Sequence, residues 1–167
     1  TLFVNYWYEP SSSDNTDSVL EDLRIKFPEH VSVINQEKNE GKAAAVRLGM
    51  NNALRNNKFN RFAFLDADLS TSIEECILLS KKITKEISFV FGSRIKKLDN
   101  KIQRKAHRFI IGRVIATFIS KMLRLPIYDS QCGCKIFSRE WTTLIFNEVF
   151  LTRWLFDVEI FFRLINH

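Results

Sequence analysis

Residues 61–70 read RFAFLDADLS. Arg61 to Leu65 is a short aromatic and apolar run of the kind that forms a strand, and it stops at Asp66. Asp68 follows one alanine later. A fold gains nothing from two carboxylates at the end of a buried strand, whereas a divalent cation does. In an extended backbone Asp66 and Asp68 share a side, and in a turn they converge. Carboxylate oxygens are the hard ligands that Mg²⁺ or Mn²⁺ prefers, and two of them leave coordination positions for phosphate oxygens and water. The competing structural reading makes Asp68 a helix cap and Asp66 a solvated turn residue.

Working outward, strand-like and helix-like segments alternate. Residues 2–8 form an aromatic strand, and EPSSSDNTD is a polar turn. Ser13 or Asp14 is placed to cap a helix whose Val19, Leu20, Leu23 and Phe27 face inward, and Pro28 stops it. Val31 to Ile34 is a second strand. NEGKAAAVRLGMNNAL is a loop followed by an alanine-rich helix that starts just after Gly41. Residues 73–84 form the next helix, with Ile73, Ile77, Leu78 and Ile83 inward, and Ile87 to Phe91 is a fourth strand running into Gly92-Ser93-Arg94. This alternation predicts an α/β domain with a largely parallel sheet flanked by helices. In such sheets functional side chains gather at the carboxyl ends of strands. Asp66, Asp68, Arg94, the Asn39–Lys42 loop and the SSSD turn all fall on that edge.

Composition narrows the class. The 167 residues predict a single domain, 46% hydrophobic and 26% charged, which is ordinary for a globular protein. Fifteen phenylalanines point to a dense core or to a face that meets apolar material. A net charge of +6 favours anionic partners such as nucleic acid, phosphorylated small molecules or an anionic membrane surface. Cys76, Cys132 and Cys134 are too few for a disulfide framework. Cys132-Gly133-Cys134 is too short a spacing for a zinc pair. No stretch of eighteen uncharged apolar residues is present. The chain opens on a strand without a methionine and closes on RLINH, so both ends read as cut.

Six segments occur in a fixed order: SSSDNT, NEGKAAAVRLG, DADLS, FGSR, DSQCGCKIFSR and RWLFDVEIFFRL. Together they resemble the family 2 glycosyltransferases of the nucleotide-diphospho-sugar type. Within these, the set is most similar to the dolichyl-phosphate and polyprenyl-phosphate mannose and glucose synthases. The resemblance covers nearly the whole chain, and the late CGCKIFSR and WLFDVEI blocks are its most specific part. It implies a GT-A type fold, here beginning after the family's first strand. It implies an enzyme that transfers a hexose from UDP-glucose or GDP-mannose to polyprenyl or dolichyl phosphate, with Mg²⁺ or Mn²⁺ as cofactor. The expected location is the cytoplasmic side of a membrane, peripheral or anchored by segments outside this chain.

The resemblance also implies roles. Asp66 and Asp68 match the pair that holds the cation, with Ser70 where the family often carries glutamine. Glu9 and Pro10 stand in place of an acidic pair at the end of the first strand, and this leaves Glu9 as the acid beside the nucleotide base. Asn39, Gly41 and Lys42 lie against the nucleotide diphosphate, and the start of the following helix favours anions there. Arg94 and Arg108 meet the donor and acceptor phosphates, with Arg104 and Arg113 as alternates. Gln131 and Asp157 face the acceptor or sugar. For Asp157 the structural alternative is a cap on the final helix, with Glu159 adding charge to its first turn. Cys132 and Cys134 read as packing residues, because this chemistry needs no thiol nucleophile.

A long helix from about Ala106 to Leu123 carries Phe109, Ile110, Val114, Ile115 and Phe118 on one side and Arg108, Arg113 and Lys121 at its flanks. This fits peripheral membrane contact and fits burial in the core equally. Transfer to a glycan acceptor is the nearest alternative function. A non-enzymatic basic module for acidic polymers draws on the positive charge and KKLDNKIQRK. No nucleic-acid motif is present, and paired carboxylates would repel a phosphate backbone, so nucleic acid is not an expected partner.

Overall fold

The structure is a computed structural model. It describes residues 2–7, 15–36, 38–67, 71–93, 121, 130–153 and 155–167, with residues 2–7 and 35 described by their backbone alone. Over these residues it is an α/β domain with a small mixed sheet system flanked by helices. Glu9, Ser13, Asp14, Asp68, Arg94, Arg104, Arg108, Arg113 and, apart from Lys121, the 106–123 helix of the sequence reading lie outside the described residues.

The first two strands, β1 (Leu2–Trp7) and β2 (Val31–Gln36), pair in parallel from Leu2 opposite Val31 to Trp7 opposite Gln36. The helix α1 (Thr16–Lys26) connects them. It has Asn15 as its N-cap, and Asp17 at its start with Arg24 and Lys26 at its end complements the helix dipole. Of the four residues expected to face inward on α1, Leu20 is buried, whereas Val19, Leu23 and Phe27 are exposed.

The second sheet departs from the expected parallel pattern. Its strands are β3 (Arg61–Leu65), β4 (Phe89–Phe91) and β5 (Cys134–Ser138), in the order β3-β5-β4. Both neighbours run antiparallel to β5, with Lys135 opposite Phe64 on one side and Phe91 on the other. A late strand therefore separates two strands that sequence alternation placed as parallel members. CGCKIFS carries no clean strand signal, because a glycine and a lysine interrupt it. Its position comes from pairing on both edges.

Period-two alternation in β5 feeds two cores. Phe137 points into a cluster with Phe62 and Phe64 of β3, Ala43, Met50 and Ala53 of α2 (Lys42–Leu54), Ile145 and Phe146 of α4 (Arg139–Phe146), and Phe156 and Ile160 of α5 (Phe156–Ile165). The phenylalanine excess is spent here. Phe137 lies 4.9 Å from the Phe89 ring and 5.3 Å, edge-on, from Phe146, centroid to centroid. On the other face Cys134 and Ile136 pack with Ile83 and Cys132, against Cys76 and Leu79 of α3 (Ile73–Ser80).

This arrangement sets the phase of α3. Its inward residues are Cys76 and Leu79, so Ile73, Ile77 and Leu78 are 52%, 53% and 60% exposed, against expectation, while Ile83 is buried as expected. Positions 73 and 77 share one stripe of a helix, and 76 and 79 share another about 100° away. Sequence spacing favoured the first stripe, and the cysteine-lined sheet face selects the second. A capping box starts the helix: the Glu75 N–H donates to Ser72 Oγ at 3.2 Å, and the Ser72 N–H donates to Glu75 Oε2 at 3.1 Å.

Arginines tie the helices to carbonyls at helix ends and in loops. Arg139 donates to the carbonyls of Phe59, Leu54 and Asn56, and its guanidinium lies over the Phe62 ring. Arg163 donates to the carbonyls of Ile145, Glu148 and Val149 and pairs with Glu159 at 2.7 Å.

Candidate active site

The carboxyl ends of β3 and β4 meet the start of β5 on one edge. The Asp66 N–H donates to the Gly133 carbonyl at 2.8 Å, and the Gly92 N–H donates to the Cys134 carbonyl at 2.9 Å. The loop of residues 130–133 is thus held between the two strand ends, and Asp66 leaves β3 directly against it. A Cβ on Gly133 would fall on the Asp66 carboxylate. Only hydrogen at that position lets the carboxylate sit where it does.

Lys42 reaches the same place from α2. Its Nζ is 2.6 Å from Asp66 Oδ1, with the two side chains 34% and 29% exposed, and it lies 5.6 Å from the centre of the Phe156 ring. The preceding turn presents it: Asn39 Oδ1 accepts from the Gly41 N–H at 3.0 Å, and Gly41 adopts φ 89°, which L side chains rarely take. Gly41 is the N-cap of α2, with no side-chain cap bond there. Two residues chosen from separate segments of the sequence, Asp66 and Lys42, are brought into contact, and Asn39 and Gly41 shape the turn that presents one of them.

Asp157 stands in the first turn of α5, whose N-cap is Leu155. It does not cap the helix and it does not line the open edge. It is 5% exposed, and its Oδ1 accepts from Lys135 Nζ at 2.5 Å. Lys135 is fully buried and also donates to the Cys132 carbonyl at 2.7 Å. Its ammonium lies 5.3 Å from the Phe64 ring centre and 5.9 Å from that of Phe161. Burial pushes the Lys135 ammonium below the usual lysine range, and the Asp157 carboxylate opposes that shift. Removing one member of such a buried pair costs about 3–5 kcal/mol, because the other charge is left uncompensated. Sequence reading passed over Lys135. The one signal for it was a lysine inside an otherwise apolar run, CKIF.

Glu159 serves the fold, accepting from the Leu151 N–H at 2.9 Å and from Arg163. Gln131 is half-buried on the 130–133 loop. Cys132 and Cys134 are buried and free, in agreement with their reading as packing residues.

Among the described residues this edge carries one oxygen donor of the kind a hard cation takes, the Asp66 carboxylate. The Asp66 carboxylate is oxygen-only and solvent-accessible, and it ends a rigid strand. Among the described residues no three His, Cys, Asp or Glu side chains form a complete cage. Asp66 is a single carboxylate whose Oδ1 is paired with Lys42 at 2.6 Å, so it offers part of the oxygen set of a cation that takes its other ligands from phosphate and water. Also among the described residues, no helix is long and apolar enough to cross a membrane.

A model of the glycosyl transferase family 2 matches residues 10–146, which include β2 to β5 and the Lys42–Asp66 edge. The chain belongs to glycosyl transferase family 2. It is 33% identical over 156 residues to a dolichyl-phosphate beta-glucosyltransferase of Trichomonas vaginalis, covering 89% of this chain and 44% of that protein. A second such protein from the same organism is 31% identical, covering 89% and 46%. The dolichyl-phosphate beta-glucosyltransferase of Homo sapiens is 27% identical over 162 residues, covering 92% and 49%. The chain spans about half the length of these curated relatives. Membership in this transferase family is the expectation raised by the ordered motifs, and it is met.

Proposed function

We propose that this family 2 domain is a single GT-A catalytic domain that transfers a hexose from a nucleotide diphosphate sugar to dolichyl or polyprenyl phosphate. The supporting observation is the alignment of nearly the whole chain with relatives named for that reaction, in a domain where Asp66 and Lys42 meet at a strand-end edge. The common glucosyl name of these relatives favours UDP-glucose over GDP-mannose.

The acceptor phosphate oxygen is anionic near neutral pH and needs no general base. It attacks the anomeric carbon, the bond from that carbon to the diphosphate oxygen breaks, and the electron pair leaves with the nucleotide diphosphate. The protein must therefore bring two anions together and stabilise the one that departs. Asp66, with Asp68, would hold Mg²⁺ or Mn²⁺, which when bound supplies charge stabilisation to the diphosphate. Lys42, at the start of α2, adds a cation and the helix N-terminus to the same diphosphate. Asn39 and Gly41 shape that turn, and Glu9 would serve as the acid that recognises the base. Arg94 and Arg108, with Arg104 and Arg113 as alternates, would gather the donor and acceptor phosphates. Gln131 faces the acceptor or the sugar, and Asp157 orders that side from beneath. Peripheral contact with the cytoplasmic face of a membrane brings the lipid phosphate to the site.

The test is a radiolabelled transfer assay on the full-length protein, with UDP-glucose, GDP-mannose and other donors, polyprenyl phosphate, and Mg²⁺ or Mn²⁺. Label entering the lipid phase from UDP-glucose is the expected result. Asp66→Ala, or chelation of divalent ions, should lower the rate at least ~100-fold. Full-rate transfer by Asp66→Ala without divalent ions would refute the mechanism.

A further inference from the structure

Among the described residues Lys135 is the only lysine or arginine that is buried. Its setting is otherwise a phenylalanine core, so a methionine there would pack well. Replacing buried ion pairs by apolar residues of similar volume is often neutral or stabilising, which makes stability a poor reason for this lysine. What an apolar side chain cannot do is grip a carbonyl. Lys135 Nζ holds the Cys132 carbonyl at 2.7 Å and Asp157 at 2.5 Å. The next residue in the loop is Gly133, whose carbonyl takes the Asp66 N–H at 2.8 Å and whose Cα backs the Asp66 carboxylate.

We infer that Lys135 is a positioning residue for Asp66: its buried ammonium clamps the 132–133 loop to α5, and the clamped loop fixes the Asp66 carboxylate at the rim. This rests on the transferase reading for its catalytic consequence, but the mechanical part stands without it. The path runs through three contacts, from the ammonium to the Cys132 carbonyl, along the chain to Gly133, and across to Asp66. Asp157 is the second anchor of the same clamp, which accounts for a carboxylate sealed away from the open edge. No proton moves along this path. Lys135 acts by fixing where the loop lies.

The deciding variant is Lys135→Met combined with Asp157→Leu in the full-length protein, which removes both charges and leaves neither one unpaired. Two readouts are followed, amide hydrogen exchange in β3 and hexose transfer. The double variant should melt within a few degrees of the parent. Its Asp66 amide should exchange at least ~10-fold faster while the Phe62 and Phe64 amides keep their protection. Its kcat should fall by about 100-fold, the scale expected for a small misplacement of a catalytic group. Recovery of both Asp66 protection and transfer would show that the pair only fills the core, and would overturn the inference. A uniform rise in β3 exchange, or failure to fold, assigns Lys135 to global stability and overturns it too. Either readout moving without the other has the same consequence. Should the parent protein transfer no hexose from any donor, the proposed reaction fails while the exchange measurement still decides whether Lys135 holds Asp66.

Discussion

Gly133 and Cys76 show how single atoms set this edge. A methyl group at residue 133 would occupy the space of the Asp66 carboxylate. Gly133→Ala should therefore push Asp66 outward, break its contact with Lys42 and destabilise the domain by about 1–3 kcal/mol. Urea unfolding and transfer kinetics on the same sample measure both effects, and unchanged kinetics would count against the close packing. Cys76 is half-buried, and its thiol is pulled down to about 7 because Cys134 donates a hydrogen bond to the Cys76 thiolate. A lowered value means the thiolate forms at lower pH. Iodoacetamide should thus label Cys76 with a midpoint near 7 while buried Cys132 and Cys134 stay unlabelled. Cys134→Ala should move that midpoint up towards the ordinary thiol value of about 8.5. A midpoint that stays put would mean the hydrogen bond does not control it. The carboxylate at residue 66 was legible from RFAFLDAD, because a strand followed by an acid is a local pattern. The need for hydrogen at residue 133 was not, because the atom it would strike belongs to a distant segment.

At the scale of elements, the clearest test concerns α3. Its capping box satisfies helix N–H groups that have no partner within the helix. Ser72→Ala should cost about 1 kcal/mol and lower the melting temperature by roughly 2–4 °C. Thermal denaturation followed by circular dichroism reads this directly, and an unchanged midpoint would show that the cap adds nothing. Helix existence was well marked here by apolar spacing. Helix orientation was not, because IEECILLS offers more than one apolar stripe. The sheet face lined by Cys134 and Ile136 decided between them. The same holds for β5. Its five residues all pair with β3, Lys135 to Phe137 pair with β4 as well, and all but Ser138 are buried, yet their sequence is too short and too mixed to announce a strand.

For the whole molecule, Phe137 is the residue through which both sides of the main core communicate. It is fully buried and meets the rings of Phe64, Phe89 and Phe146. Phe137→Ala should cost about 3–5 kcal/mol, a large part of the total stability of a domain of this size. Chemical denaturation should show one transition shifted to lower denaturant, and a loss below about 1 kcal/mol would mean the core closes around the gap. Local sequence was enough to establish the strand ending in Asp66 and the glycine turn before Lys42, because each depends on neighbours along the chain, and the order of segments along the whole chain pointed to the α/β class and the transferase family. Only the folded chain could place β5 between β3 and β4, seat Gly133 against Asp66 and bury Lys135 beside Asp157. Those outcomes depend on strand pairing and burial between segments far apart in sequence, and no local pattern encodes which distant partner will supply the missing charge or the missing edge.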